Sequence, residues 1–373
     1  MDYKVPSCIE KAWRQPLCSI CDIYISKYDI ISYENGRMSP KSVRRGDMKV
    51  TIQDIANMVG VSKSTVSRYL NGGYVSEENA KKISDAVEKT GFTSNFFAKR
   101  LKADNSRLIG VILPRIDSFT AGKLLKSINR RLEEKGYQII ILSSELSKKK
   151  ELECIDKFHK QGVDGIIVMA FEITKETIAM ANRLTIPIIF TGQNNNLLKC
   201  IKIDDRKAGN MLGNYIKKQG HRNIVFLGVS ERDKAVGIER KQGFYEAFHD
   251  VECNINFVEA DFSFEGAYKV SKEVLNYKPT AVVGATDNII LGFIRYAFEC
   301  GYKIPEDFSV AGFGGYDVGL AVHPTITTIY IDYEALGEKT ADSIVAAIEL
   351  EEIKDERKVE LRLIERDSVK NIG

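Results

Sequence analysis

The stretch Thr51–Asn71, TIQDIANMVGVSKSTVSRYLN, leaves few conformations open to the chain. Thr51 with Asp54 three residues later fits a capping box, and Ile52, Ile55, Ala56 and Val59 then recur at helical spacing. The pattern predicts a short helix with one buried face. Gly60 can take the positive φ that a sharp helix–helix turn requires, and Ala56 is small enough for a second helix to pack closely against it. Ser62 suits the N-cap of that helix, whose Val66 and Leu70 face inward and leave Lys63, Ser64, Thr65, Ser67 and Arg68 outside. A small, polar, basic face of this kind can enter a DNA major groove. Taken alone, the same pattern also fits an ordinary helical hairpin with a solvated face.

The next thirty residues narrow the choice. Val75–Gly91 predicts a third helix, with Ser76 as N-cap, Ile83 and Val87 inside and Gly91 as terminator. Three helices can enclose a small core. Phe92–Lys102, FTSNFFAKRLK, is short, basic and partly apolar, the composition of a linker or hinge helix. The whole chain carries a net charge of only +3, yet Met48–Arg107 holds ten Lys or Arg against six Asp or Glu. Positive charge is thus concentrated where phosphates would lie, and attraction there falls steeply with salt.

The run Thr51, Asp54, Ala56, Gly60, Val61, Ser62, Thr65, Val66, Ser67, Arg68 and Asn71, followed by Val75-Ser76, Gly91-Phe92 and Asn95, resembles the DNA-binding headpiece of the LacI/GalR family of bacterial repressors. The resemblance continues from Met48 to about Ser368.

With 373 residues the chain exceeds one compact core, so two or three domains are expected. Its seven cysteines (Cys8, Cys18, Cys21, Cys154, Cys200, Cys253 and Cys300) are odd in number and scattered, which argues for a reducing cytoplasm rather than a disulfide framework. Cys18-x-x-Cys21 with Cys8 lacks a fourth Cys or His nearby, so no metal site is expected, and no cofactor is implied. No leader pattern and no membrane-spanning apolar run is evident. Residues 1–47 have weak periodicity and receive no fold; they are expected to be a non-native or disordered extension, with translation starting at Met48 behind purine-rich codons for Arg44-Arg45-Gly46-Asp47.

From Leu108 onward, short apolar runs alternate with amphipathic helices, the signature of parallel sheet covered on both faces. Strands are predicted at 108–113, 138–143, 165–169, 186–191, 200–203, 224–228, 256–259, 281–285 and 309–313, and helices at 119–135, 148–161, 206–219, 239–250, 264–277 and 288–300. So many strands exceed one sheet and predict two βα subdomains with a ligand cleft between them, lined by loops from strand C-termini. Polar groups in such loops are Ser118, beside Phe119, together with Gln193 and Asp287.

The resemblance implies the same architecture: an all-α helix-turn-helix headpiece over 48–104, with a hinge helix at 95–102, and a periplasmic-binding-protein-like α/β body over 107–373 made of two parallel-sheet subdomains. It implies chain crossings near Asp204 and near Ile326–Ile331, and a homodimer on a pseudopalindromic double-stranded DNA operator. Lys63, Ser64 and Arg68 would meet base edges, while Thr51, Thr65, Ser67 and Asn71 contact or position phosphates. In the hinge, Asn95 begins the matching segment, Ala98 allows close approach and Leu101 is the minor-groove wedge. Arg240 matches the family's sugar-contacting arginine, and Phe262 its ring-stacking aromatic; a buried salt bridge and a plain core Phe are the alternatives.

Two departures stand out. Ser94 replaces the proline often found before the hinge asparagine. Gly314-Gly315 stand where many members carry sugar-binding acids, leaving open an acid moved to Asp317 or none. The tail after Arg366 lacks a tetramerising heptad helix, so a dimer is expected. A sugar-relieved repressor is the reading of the whole, with a solute-binding protein or sugar sensor lacking a DNA role as the alternative. The dispersed histidines His159, His221, His249 and His323, without a phosphate loop or catalytic triad, argue against an enzyme.

Overall fold

The computed structural model describes residues 31–34, 37–40, 50–70, 72–92, 105–351 and 359–373, in two compact units, 1–99 and 100–373. In the first unit, β1 (Ile31–Glu34) pairs antiparallel with β2 (Arg37–Pro40). Weak periodicity over residues 1–47 predicts no fold here, but Asn35-Gly36 between the two strand segments is itself a strong hairpin signal.

Three helices come next: α1 (Ile52–Val59), α2 (Lys63–Leu70) and α3 (Glu77–Thr90). The Thr51–Asp54 capping box is formed: the Asp54 amide donates to Thr51 Oγ1 at 3.2 Å and the Thr51 amide to Asp54 Oδ2 at 2.8 Å. Gly60 has φ +74°, as the tight turn requires. Ile55, Ala56, Val66, Ile83, Ala86 and Phe92 close the core. Ser76 occupies the N-cap of α3, but its side chain makes no capping hydrogen bond; Glu77 and Glu78 supply negative charge to that helix end instead.

The second unit contains two sheets. The first has five parallel strands in the order β4 (Gln138–Ser143), β3 (Leu108–Leu113), β5 (Gly165–Met169), β6 (Ile188–Thr191) and β7 (Cys200–Ile201). Residues 108–113 and 165–169 are buried throughout, which is why they read as continuous apolar runs, whereas edge strand β4 is half-exposed. Helices α4 (Phe119–Glu134), α5 (Lys148–Gln161) and α6 (Lys175–Arg183) connect these strands.

The second sheet has six strands. After α7 (Asp205–Lys218), β8 (Asn223–Gly228), α8 (Lys241–Glu246), β9 (Asn254–Glu259), α9 (Phe264–Asn276), β10 (Ala281–Gly284), α10 (Asp287–Glu299), β11 (Ser309–Gly314), β12 (Thr327–Ile331), α11 (Tyr333–Ile348) and β13 (Leu361–Ile364) complete the chain. The sheet order is β13-β12-β11-β10-β8-β9, parallel except for β13 against β12.

The chain passes between the subdomains three times. It leaves the first after β7, returns after β12 so that α11 packs on α4, and comes back to the second sheet as β13. The last crossing, and with it α11 and β13, was not foreseen, nor was α6. The helix expected over 239–250 is also different: Lys234–Arg240 forms a π-helical segment that opens into the shorter α8. A Cβ on Gly237 would lie 2.2 Å from the Ser230 carbonyl oxygen, so the loop and the wide turn pack in contact. Wide turns of this kind recur at functional sites.

Candidate functional site

In the three-helix unit, α2 presents Lys63, Ser64 and Arg68 fully outward and Thr65 and Ser67 half-buried at its flanks. Ser62 organises the start of that helix. Its Oγ accepts from the Thr65 amide at 3.2 Å and lies within hydrogen-bond distance of Ser64 Oγ and Thr65 Oγ1. Thr51 spends its hydroxyl on Asp54, and that bond holds the Asp54 carboxyl below the usual range. The face left to solvent is therefore a short, basic, hydroxyl-rich ridge one helix wide, the shape a major groove admits. Asn71, Asn95, Ala98 and Leu101 lie outside the described residues.

In the body, the loops at the strand C-termini converge on a cavity of about 160 Å³ between the subdomains. From the first subdomain come Pro114, Arg115 and Asp117–Ala121 after β3, Leu146 after β4, Ala170 and Phe171 after β5, and Gly192-Gln193 after β6. From the second come Asp233, Val236 and Arg240 after β8, Phe262 after β9, Thr286 and Asn288 after β10, and Tyr316 after β11. Of the residues singled out in the sequence, Ser118, Phe119, Gln193, Arg240 and Phe262 line this cavity together.

Arg240 is buried and forked onto Asp205, with Nε and Nη2 at 2.9 and 2.5 Å from the same carboxylate oxygen, while Nη1 donates to the Ala285 carbonyl at 2.7 Å. Burial opposes the charge, but the Asp205 carboxylate and other nearby groups outweigh it and hold the guanidinium above its ordinary pKa. The salt bridge and the cavity-lining position thus coexist in one residue. Gln193 Nε2 donates to Asp233 Oδ1 at 2.8 Å, and the Val236 amide donates to the same oxygen at 2.9 Å. Burial pushes the Asp233 carboxyl up to about 6. Arg115 is paired with Asp117 at 2.6 Å, so both cations among the described lining residues are already matched to a carboxylate.

Aromatic rings meet across the cleft. Phe119 stacks on Tyr316 at 5.5 Å between centroids, and Phe171 meets Phe262 edge to face at 6.4 Å. Thr120 Oγ1 lies 2.6 Å from the Tyr316 hydroxyl, and Arg232 Nε donates to Glu172 at 3.1 Å, both pairs joining the two subdomains. Ser118 uses its Oγ to cap α4 through the Ala121 amide at 3.3 Å.

Asp287 is placed otherwise than expected. It is buried behind the cavity wall, accepting from the Tyr316 amide at 2.8 Å and from Thr328 Oγ1 at 2.7 Å, and burial raises its pKa. It ties the residues just beyond β11 to β12, and its neighbours Thr286 and Asn288 line the cavity instead. Asp317 is exposed and 3.8 Å from Lys123, so it does not replace the missing acid. The glycines have a steric cause. Gly314 and Gly315 have φ of +130° and +66°, and a Cβ on Gly314 would come within 2.5 Å of the Tyr316 ring. Glycine there lets Tyr316 fold back and reach Thr120. Carboxylates reach the cavity from Asp117, Asp205 and Asp233, none of which the sequence reading selected.

Residues 51–95 match the family described as "Bacterial regulatory proteins, lacI family", and residues 214–369 match "Periplasmic binding protein-like domain". The sucrose operon repressor of Staphylococcus xylosus is 35% identical over 297 residues, covering 79% of this chain and 92% of that protein. The chain belongs to the LacI family. This LacI-family protein is a DNA-binding transcriptional regulator. Catabolite control protein A of Priestia megaterium is 27% identical, over 76% of this chain and 87% of its own. In fold, the LacI-family chain is similar to a crystal structure of the Lac repressor dimer bound to operator and an anti-inducer, at a TM-score of 0.78 and 22% identity, covering 87% of this chain and 100% of that one.

Proposed function

We propose that the protein is a repressor of carbohydrate-utilisation genes, binding as a homodimer to a pseudopalindromic operator in the cytoplasm, at the nucleoid, and releasing it when a neutral sugar fills the cleft. Residues 48–104 form the DNA-binding part, with Lys63, Ser64 and Arg68 at base edges, Thr51, Thr65, Ser67 and Asn71 contacting or positioning phosphates, and Asn95, Ala98 and Leu101 in the hinge over 95–102. Ser118, Phe119, Gln193, Arg240 and Phe262 hold the effector. Among the described residues no helix is long and apolar enough to cross a membrane.

The observation that carries the reading is the electrostatic balance of the cavity. Arg240 is neutralised by Asp205 and Arg115 by Asp117, so among the described lining residues no cation is left over to hold a phosphate or carboxylate. Forked, fixed polar groups beside aromatic rings suit hydroxyls and the apolar C–H face of a sugar. The relative from Staphylococcus xylosus, named for a sucrose operon, supports the same class.

A thermal-shift screen with mono-, di- and phosphorylated sugars, followed by operator release in a gel-shift assay, tests this. Neutral sugars should raise the melting temperature and weaken operator binding, and linkage requires the operator to weaken sugar binding by the same factor. Stabilisation by phosphorylated sugars alone, or a protein that prefers no genomic sequence over random competitor, overturns the reading.

A further inference from the structure

Asp164, just before β5, spends both carboxylate oxygens on the residues that lead into β3. Oδ1 accepts from the Ser106 amide and from the Ser106 hydroxyl, each at 2.7 Å, and Oδ2 accepts from the Arg107 amide at 2.7 Å. Bonds this short to an ionised acceptor are the strong ones. The Asp164 amide donates in turn to the Leu108 carbonyl at 2.8 Å, so one residue ties 106–108 to the start of β5. Arg107 is held twice more: its carbonyl accepts from the Gln138 amide at 2.9 Å, and its guanidinium lies 4.9 Å from the centroid of the Tyr137 ring. Its φ of +53° is a left-handed conformation uncommon outside glycine. Such a conformation persists only where the surroundings over-determine it, and such positions cluster at switch regions. Because β3 and β5 are adjacent and buried throughout, the entry of the chain into the body is fixed to the sheet core.

We propose that Asp164 is a positioning residue for operator recognition: by pinning Ser106 and Arg107 it fixes where each chain of the dimer leaves its body, and so sets the half-site spacing that the dimer accepts. This rests on the operator reading above. A dimer engages its second half-site at an effective concentration that depends on the slack in the connection between body and DNA-binding part. Without the Asp164 carboxylate, the first backbone anchor moves to the Arg107 carbonyl, and the two residues before Arg107 can extend the connection by about 7 Å. One added base pair separates half-sites by only about 3.4 Å. The released slack therefore exceeds the step that the dimer has to distinguish.

The test is competition binding of the full chain to the genomic fragment it retains most tightly, to that fragment with one base pair inserted at its centre, and to a single half-site. Wild type is compared with Asp164→Ala, Asp164→Asn and Ser106→Ala. The wild type should prefer the native spacing by at least about tenfold, and Asp164→Ala should cut that preference to about twofold or less while half-site affinity stays within about twofold. Asp164→Asn keeps one acceptor oxygen, and Ser106→Ala keeps both amide bonds, so their preferences should fall between, Ser106→Ala nearer the wild type. Where Asp164→Ala does not fold, these two variants carry the test. An unchanged spacing preference in the variants, a wild type without one, or an equal loss of affinity for all three DNAs overturns the positioning role and leaves the repressor reading standing. A wild type that prefers no genomic sequence over random competitor overturns both.

Discussion

Gln193 and Asp233 meet across the cleft at 2.8 Å, the first from the end of β6 and the second from the end of β8, so one hydrogen bond joins loops of two different sheets. The Gln193 Oε1 in turn accepts from the Ala235 amide at 3.3 Å. A side chain of the first subdomain thereby completes the start of the π-helical segment that carries Arg240.

Asp233 makes this junction pH-dependent. Its carboxyl is raised in the folded state to about 6, so between the unfolded value near 3.8 and about 6 the native form binds more protons than the unfolded chain. Stability attributable to this group therefore falls as pH rises through that window, and the full penalty is present above it. Asp233→Asn should raise stability at pH 7.5 by about 1–3 kcal/mol and give no gain at pH 3.5. Denaturant titrations at the two pH values check it; equal effects at both would rule out the carboxylate as the cause.

Arg240 and Asp205 stand or fall together. Replacing Arg240 by Met leaves Asp205 buried and unpaired, an expected loss of about 3–5 kcal/mol, whereas Arg240→Met with Asp205→Leu should lose much less than the two single changes summed. A double-mutant cycle in urea measures the coupling. Additive losses would show that the pair contributes no mutual energy.

Thr191 carries a hydroxyl that is buried in the cavity wall with no hydrogen-bond partner among the described residues. An isosteric Thr191→Val should therefore leave ligand-free stability unchanged or raise it by up to about 1 kcal/mol, because nothing is unpaired by the change. If the hydroxyl meets the effector, the same substitution should weaken sugar binding by about tenfold, readable by calorimetry. Unaltered affinity would assign Thr191 to the wall alone.

Arg68 projects from the exposed face of α2. Arg68→Ala should cost about 1–3 kcal/mol of discrimination between operator and random DNA if it reads a base edge, and mainly flatten the salt dependence if it meets a phosphate. Competition binding at several salt concentrations separates the two outcomes.

The headpiece was legible because its information is local. Helical spacing, a Thr51–Asp54 box and a glycine at position 60 report structure made within a few residues, and each is found as read. The buried strands were legible for the same reason, since an apolar run such as 108–113 records burial on both faces. Ser118, Gln193 and Phe119 were reachable because strand ends in such a fold point at the cleft.

Other features depended on residues far apart in the chain. Whether Asp287 or its neighbours Thr286 and Asn288 face the cavity depends on Thr328 in β12 and Tyr316 just beyond β11, which both donate to the Asp287 carboxylate. Asp205 and Asp233 gain their roles from Arg240 and Gln193, 35 and 40 residues away. The π-helical turn, the return of α11 to the first subdomain and the antiparallel closure by β13 likewise leave no periodic trace, because sequence spacing records how each segment buries its own side chains and not which distant segment they are buried against. Local spacing thus encodes the headpiece helices and the two βα layers, whereas the polar groups that line the cavity are chosen by contacts between distant segments, since long-range packing alone sets the register of the loops that carry them.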